Sequence, residues 1–280
     1  MASFGPMSIS NDEFALISTF VYEKFGINLT EEKRNLVIGR LQKLVRSLGF
    51  GSFKHYYDYL SADRTGQALD RLVNRISTNY TYFHRESDHF DFFRNKALPN
   101  VVDGMNGRNC KDLRIWCAGC SSGEEPYMLV MQMFEYFGRE YGMWDAGILA
   151  TDISGKALDT AKSGVYTEKA VGRVPSEIKQ RYFIKNGPGE LKISEKVKRE
   201  VTFRRFNLMN RQFPFKKPFQ MIFCRNVMIY FDQPTRVALI RKFYDNMVPG
   251  GYLFIGHSET LGRKQPLFDY VMPAVYRKKL

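Results

Sequence analysis

Apolar positions change rhythm along this chain. Over residues 10–25 they recur at helical spacing: Phe14, Ile17, Val21 and Phe25 share a face, Ser10 or Asn11 stands where a cap is needed, and Gly26 follows the last turn. A second helix is expected after Thr30 as its cap, with Glu31 and Glu32 suited to the positive end of the dipole. Val37, Leu41, Leu44, Val45 and Leu48 form its apolar arc, and Gly49 ends it. Lys33, Arg40, Lys43 and Arg46 occupy the opposite arc around an outward Leu36. That face is either ordinary solvated surface or a docking face for an acidic partner. "SADRTGQ" then reads as a loop before another short helix, which places a helical domain at 1–73 and a second domain at 74–280.

From Leu113 the pattern becomes short apolar runs separated by helix-length segments. "LRIWC", "GILATD", "QMIFC" and "YLFIGH" alternate with amphipathic stretches near 124–141, 154–162 and 233–247. Such alternation predicts an α/β domain with a mostly parallel sheet covered on both faces. "RYFIKNGPGELKIS" and "VTFRRF" break the rhythm. Asn186-Gly187-Pro188-Gly189 between β-rich runs predicts a hairpin, hence a small antiparallel insertion at about 165–205.

A chain of 280 residues is long enough for two such domains. The formal charge of +13 calls for an acidic partner, whether nucleic acid, anionic membrane surface or protein. No apolar run approaches a membrane span and the N-terminus lacks a signal-peptide pattern, so a cytoplasmic location without membrane insertion is expected. Four irregularly spaced cysteines do not resemble a secreted disulfide framework.

The candidate chemistry begins at "CAGCSSGEEP" (residues 117–126), between a strand and a helix. Small residues from Ala118 to Gly123 let the backbone turn tightly against a ligand, as in a loosened dinucleotide loop around Gly119. Asp152, ending the next strand, can accept hydrogen bonds from ribose hydroxyls. Glu124 and Glu125 repel a pyrophosphate at the helix N-terminus and suit a cation, or they simply complement the dipole. A phosphate-free sulfonium nucleoside, S-adenosylmethionine, meets these conditions. The Cys117-x-x-Cys120 pair has no second closely spaced pair to complete a zinc site, and acidic neighbours raise a thiol pKa. Both cysteines are therefore expected to be buried packing residues, with no metal bound.

"STNYTYFHRE" (77–86) and "CRNVMIYF" (224–231) carry polar and aromatic groups with no helical or strand period, at a domain junction and a strand end. With "CSSGEEPY", "ATDIS" and "GGYLFIGHSE" in this order, the chain closely resembles the chemoreceptor glutamate methyltransferases of bacterial chemotaxis, the CheR family. The resemblance spans nearly the whole chain. It implies a Rossmann-like class I S-adenosylmethionine-dependent methyltransferase domain after an all-α domain. The implied reaction is methyl esterification of receptor glutamates, with S-adenosylhomocysteine as product. Carried over by motif, Asn79, Thr81 and Arg85 border donor and acceptor, Glu125 approaches the donor's amino-acid end, and Asp152 its ribose. Asn207 and Leu208 flank the adenine, Asn226 and Val227 complete the pocket, and Tyr230 faces the methyl. Arg85 and Tyr230 are the expected catalytic residues. His84 stands where many members have phenylalanine and receives no role.

Partners implied are the cytoplasmic domains of methyl-accepting chemoreceptors, with no nucleic acid and a monomeric enzyme. Members that tether to a receptor's C-terminal peptide carry a longer hairpin loop than "KNGPGE", so a peptide-independent enzyme is expected, guided by its basic helix. Two rivals are a nucleic-acid methyltransferase and a non-catalytic donor-binding module. "RNVMIY" is not the N-P-P-Y-like motif of DNA amino-methylating enzymes, and a module could dispense with Arg85 and Tyr230.

Overall fold

Ser10 closes a capping box at the start of the first helix, Asn11–Phe25: Glu13 N donates to Ser10 Oγ at 3.1 Å and Ser10 N donates to the Glu13 carboxylate at 2.9 Å. Gly26 ends that helix at φ +69°. The next element departs from expectation. Glu31–Lys33 is a 3-10 turn, the α-helix proper is Arg34–Ser47, and the Thr30 side chain caps neither. The Glu31 carboxylate pairs instead with Arg34, and the three-residue spacing of a 3-10 turn suits that pair. Arg34 also donates to the carbonyls of Ile9 and Ser10. Helices Phe53–Ala62 and Gln67–Ile76 complete an all-helical core in which Ile17, Val21, Val37, Leu41, Val45, Phe53, Tyr56, Leu72 and Val73 are buried.

The structure, a computed structural model, describes residues 7–280. Its chain divides into two units. The helical unit runs to Thr78 and also takes the distant strip Tyr230–Thr235, and Asn79–Ile229 with Arg236–Leu280 forms the other. The strip joins by backbone and side chain: Asn28 N donates to Tyr230 O at 2.8 Å, Ile27 bridges Phe231, and Tyr22 Oη donates to Asp232 at 2.9 Å.

The larger unit contains β1 (Asp112–Ala118), β2 (Asp145–Asp152), β3 (Val165–Thr167), β4 (Phe183–Lys185), β5 (Glu190–Ile193), β6 (Val201–Arg205), β7 (Phe219–Cys224), β8 (Met247–Ile255), β9 (Phe268–Met272) and β10 (Val275–Lys278). Seven form one sheet in the order β6-β2-β1-β7-β8-β10-β9. The first five run parallel, and β10 and β9 close one edge antiparallel. Chain direction across the sheet reverses between β1 and β7, the crevice where open α/β sheets bind ligands. The hairpin at Asn186–Gly189 forms as expected, pairing β4 with β5, and β3 adds to make a separate antiparallel sheet. Val201–Arg205 does not belong to that sheet: it lies parallel to β2 in the main one. Val201 and Phe203, buried on one face, supply the alternation an edge strand needs, with Thr202 and Arg204 turned outward.

Candidate active site

Three strand ends and two loops meet at the crevice. After β1 the backbone bends through Gly119 at φ +97°, Ser121 at +49° and Gly123 at +95°. Thr151 O accepts from both Gly119 N and Cys120 N, at 2.8 and 2.9 Å, which fastens the turn to β2. Each glycine is required by space as well as by φ. A Cβ on Gly119 would lie 2.5 Å from Val227 Cγ2, and one on Gly123 would lie 2.9 Å from Ala161 Cβ.

Asp152, 9% exposed, accepts from Ser121 N at 2.8 Å and Ser154 N at 2.9 Å. Burial raises its pKa and those backbone donors oppose the rise. The Ile153 backbone N–H opposes the rise as well. Asn79 Nδ2 donates to Ser154 Oγ at 3.4 Å, and Phe206 N donates to Asp152 O at 3.0 Å, which brings the neighbourhoods of Asn79 and Asn207 to the end of β2. Leu208 is buried, and Asn207 Oδ1 accepts from Met209 N at 2.9 Å. Thr81 is half-buried.

The acidic pair is not free. Glu124 turns back to the Ser122 hydroxyl at 2.7 Å, and burial raises its pKa. Glu125 accepts from Arg225 at 2.8 Å, and burial pushes its carboxyl up while the guanidinium pulls it back. Arg225, with its side chain 3% exposed, also pairs with Glu86 at 3.0 Å and donates to Arg85 O. Burial alone would raise Glu86, yet the Arg225 charge and hydrogen bonds hold it below the usual carboxylate range. Two carboxylates and one guanidinium leave this cluster one negative charge in excess, so it suits a cationic group.

Glu86 further accepts from Asn226 Nδ2 and His257 N, both at 3.2 Å. Glu259 accepts from the backbone N–H groups of Asn226, Ile229 and Gly256, at 3.1, 3.1 and 2.6 Å. These bonds hold Asn226 at φ +58°, and Glu86 and His84 take φ +54° and +63° on either side of Arg85. Such conformations cost about 1–3 kcal/mol each in non-glycine residues and persist where surrounding bonds over-determine them. Glu86 and Glu259 are the residues sequence reasoning missed. Both stood inside notable stretches, "FHRE" and "GHSE", without an assigned role.

Other expected residues are placed differently. The Arg85 guanidinium donates to Tyr80 O at 2.9 Å and lies 5.9 Å from the Tyr80 and Tyr82 ring centres. Tyr230 closes the short turn Met228–Tyr230 and falls within the helical unit's share of the chain. Of the four docking cations, Lys33 donates to Asn28 O at 2.8 Å and Arg40 to Ile76 O and Thr78, so both heads are engaged within the helical unit. Lys43 is exposed, Arg46 half-buried. Cys117 and Cys120 are buried free thiols whose pKa burial drives upward, as packing residues require. Among the described residues one group, Glu86, His89 and His257, gathers ligand-type atoms within 4.8 Å. Arg225 already holds that carboxylate, and a dication there would meet its charge.

The arrangement fits S-adenosylmethionine: a sharp glycine turn, a fixed carboxylate at the end of β2 and a net-negative cluster at the end of β7. Ser121 Oγ, buried in the turn with no hydrogen-bond partner among the described residues, adds an open polar group. Residues 79–276 match the family model described as CheR methyltransferase, SAM binding domain, and residues 12–77 match CheR methyltransferase, all-alpha domain. The chain is 42% identical to a chemotaxis protein methyltransferase of Borreliella burgdorferi, over 97% of this chain and 96% of the relative. It is 36% identical to chemotaxis protein methyltransferase 1 of Pseudomonas aeruginosa, over 98% and 100%. Identity to the Escherichia coli chemotaxis protein methyltransferase is 34%, over 96% and 92%. On a match to both domain models and to relatives along their full length, the chain belongs to the CheR family of S-adenosylmethionine-dependent methyltransferases.

Proposed function

We propose that the protein transfers a methyl group from S-adenosylmethionine to the side-chain carboxylate of specific glutamates on bacterial chemoreceptors, giving glutamyl methyl esters. The observation that carries this reading is the near full-length similarity to relatives named chemotaxis protein methyltransferases. S-adenosylmethionine supplies an electrophilic methyl on a sulfonium. Glutamate is already ionised at neutral pH, so the protein has no proton to remove. Its task is to align the acceptor oxygen with the methyl–sulfur bond and to exclude the water that solvates both charges.

In this reading Glu125, held by Arg225, faces the donor's cationic amino end, and Asp152 fixes its ribose. Asn207 and Leu208 flank its base, with Asn79, Thr81, Gly119, Asn226 and Val227 as walls. Arg85 and, on its motif alone, Tyr230 steer the acceptor carboxylate. Arg85 works best without gripping the ground state, since equal binding of ground and transition states leaves kcat unchanged. The exposed Lys43 is the leading cation for docking an acidic receptor helix, together with Arg46. The short hairpin loop makes recognition independent of a C-terminal receptor peptide; micromolar binding of such a pentapeptide in calorimetry would contradict this.

Incubation with labelled donor and either receptor cytoplasmic fragments or RNA separates the alternatives. Label released as methanol by mild base supports the ester, base-stable label on RNA supports a nucleic-acid enzyme, and no label supports a donor-binding module. Arg85→Ala is expected to slow transfer by about 100-fold or more with donor affinity nearly unchanged, since alignment alone can supply a factor of that size. Full activity in this variant removes Arg85 from the mechanism.

A further inference from the structure

Arg173 lies between the helices Glu168–Val171 and Ser176–Tyr182, in the insertion that also carries the small sheet. Its position is firm, because Val171 and Val174 on either side are buried and Val174 N donates to Val171 O at 3.0 Å. The side chain itself is exposed, with its guanidinium carbon 4.4 Å from the centre of the Tyr82 ring. Among the described residues it makes no hydrogen bond and no ion pair. The Arg85 guanidinium sits 5.9 Å from the same ring and donates to a backbone carbonyl, Tyr80 O. Tyr80, 72% exposed, meets Tyr82 edge-on at 6.0 Å.

Two guanidinium groups thus share one tyrosine with no carboxylate to neutralise them. A guanidinium held 4.4 Å from a ring centre keeps its N–H edge available, and such an edge takes a carboxylate in bidentate fashion. On an α-helix, side chains three or four residues apart lie about 5–6 Å apart on one face. That spacing is within the span of two cations flanking a single ring.

We propose that Arg173 is a specificity residue: stacked on Tyr82, it binds an acidic side chain of the substrate helix one turn from the glutamate presented to Arg85. The proposal rests on the receptor-glutamate reading above and names a second feature that the substrate must carry.

Two synthetic helical peptides of equal glutamate content, one with carboxylates four residues apart and one with them two apart, provide the probe. Titrated into the full-length protein, the four-spaced peptide should bind roughly two- to fivefold tighter, the range that an exposed ion pair contributes. Arg173→Ala should erase the preference. Arg173→Lys, keeping the charge without the flat stacked fork, should recover only part of it. Donor affinity unchanged in both variants confirms that the fold is intact, which the exposure of Arg173 leads one to expect. An undiminished preference in Arg173→Ala, or none in the wild type, overturns the proposal. Methylation of receptor fragments reports separately on the parent reading: its absence in the wild type defeats that reading, while the peptide titration still decides the role of Arg173.

Discussion

Replacing Arg225 by alanine leaves Glu86 and Glu125 buried with no cation between them. The guanidinium side chain is 3% exposed and its partners 11% and 15%, so the small values typical of surface ion pairs do not apply. Removing one member of a buried pair costs about 3–5 kcal/mol, because the remaining charge keeps its desolvation penalty. With roughly 2–4 °C per kcal/mol in a unit of this size, the melting temperature should fall by roughly 6–20 °C near neutral pH. The pH dependence sharpens the test. In the wild type, Glu86 titrates below its ordinary value of 4.5, so its stabilisation is present above that value and is lost as pH falls through the lower folded value. In the variant the Arg225 charge and hydrogen bonds are gone, burial is opposed only by the weaker bonds from Asn226, His257 N and Cys117, and both carboxyls rise. The folded form then binds protons more readily than the unfolded chain, and the variant gains relative stability as pH falls. The gap between the two proteins, read by calorimetry, should therefore narrow from pH 8 to pH 5, and Glu86→Gln in the Arg225→Ala background should restore part of the loss. A gap below about 1 kcal/mol, typical of an exposed pair, or one constant across that range, would refute the buried-cluster account.

Gly119→Ala forces a side chain into φ +97° and against Val227, so donor affinity should drop by about tenfold or more, with only partial recovery in Gly119→Ala/Val227→Ala, because the backbone strain of about 1–2 kcal/mol remains. Calorimetric titration with S-adenosylhomocysteine checks both. Of the four thiols, Cys110 is exposed while Cys117, Cys120 and Cys224 are buried with their pKa driven up, so a thiol reagent should modify one group rapidly in the native protein and four after denaturation. Rapid reaction of two or more would contradict the packing role.

Local patterns were legible wherever neighbours in sequence are neighbours in space. Ser10 announces the cap of the first helix, the runs ending in Ala118, Asp152 and Cys224 announce parallel strands, and Asn186-Gly187 announces a hairpin. The strand Val201–Arg205 was harder, because β-rich composition alone does not say which sheet an edge strand joins. Thr30 misled because the turn after it is 3-10, with Lys33 N donating to the Thr30 carbonyl, and the α-helix begins only at Arg34. The acidic pair after Gly123 reads as a bare negative site until Arg225 is found beside it. That partner lies 100 residues from Glu125 and 139 from Glu86, beyond the reach of any spacing rule. What the motifs did mark were the loops that long-range pairing would bring together.

The strip Tyr230–Thr235 has a consequence for synthesis. The ribosome completes the four helices of the smaller unit at Thr78, yet the segment that bridges Ile27 and bonds Tyr22 emerges about 150 residues later. At ~5–20 residues per second that is a wait of roughly 8–30 s. The unit that folds from mostly local contacts thus waits for a strip made only after most of the other unit's chain, Asn79–Ile229, has been synthesised.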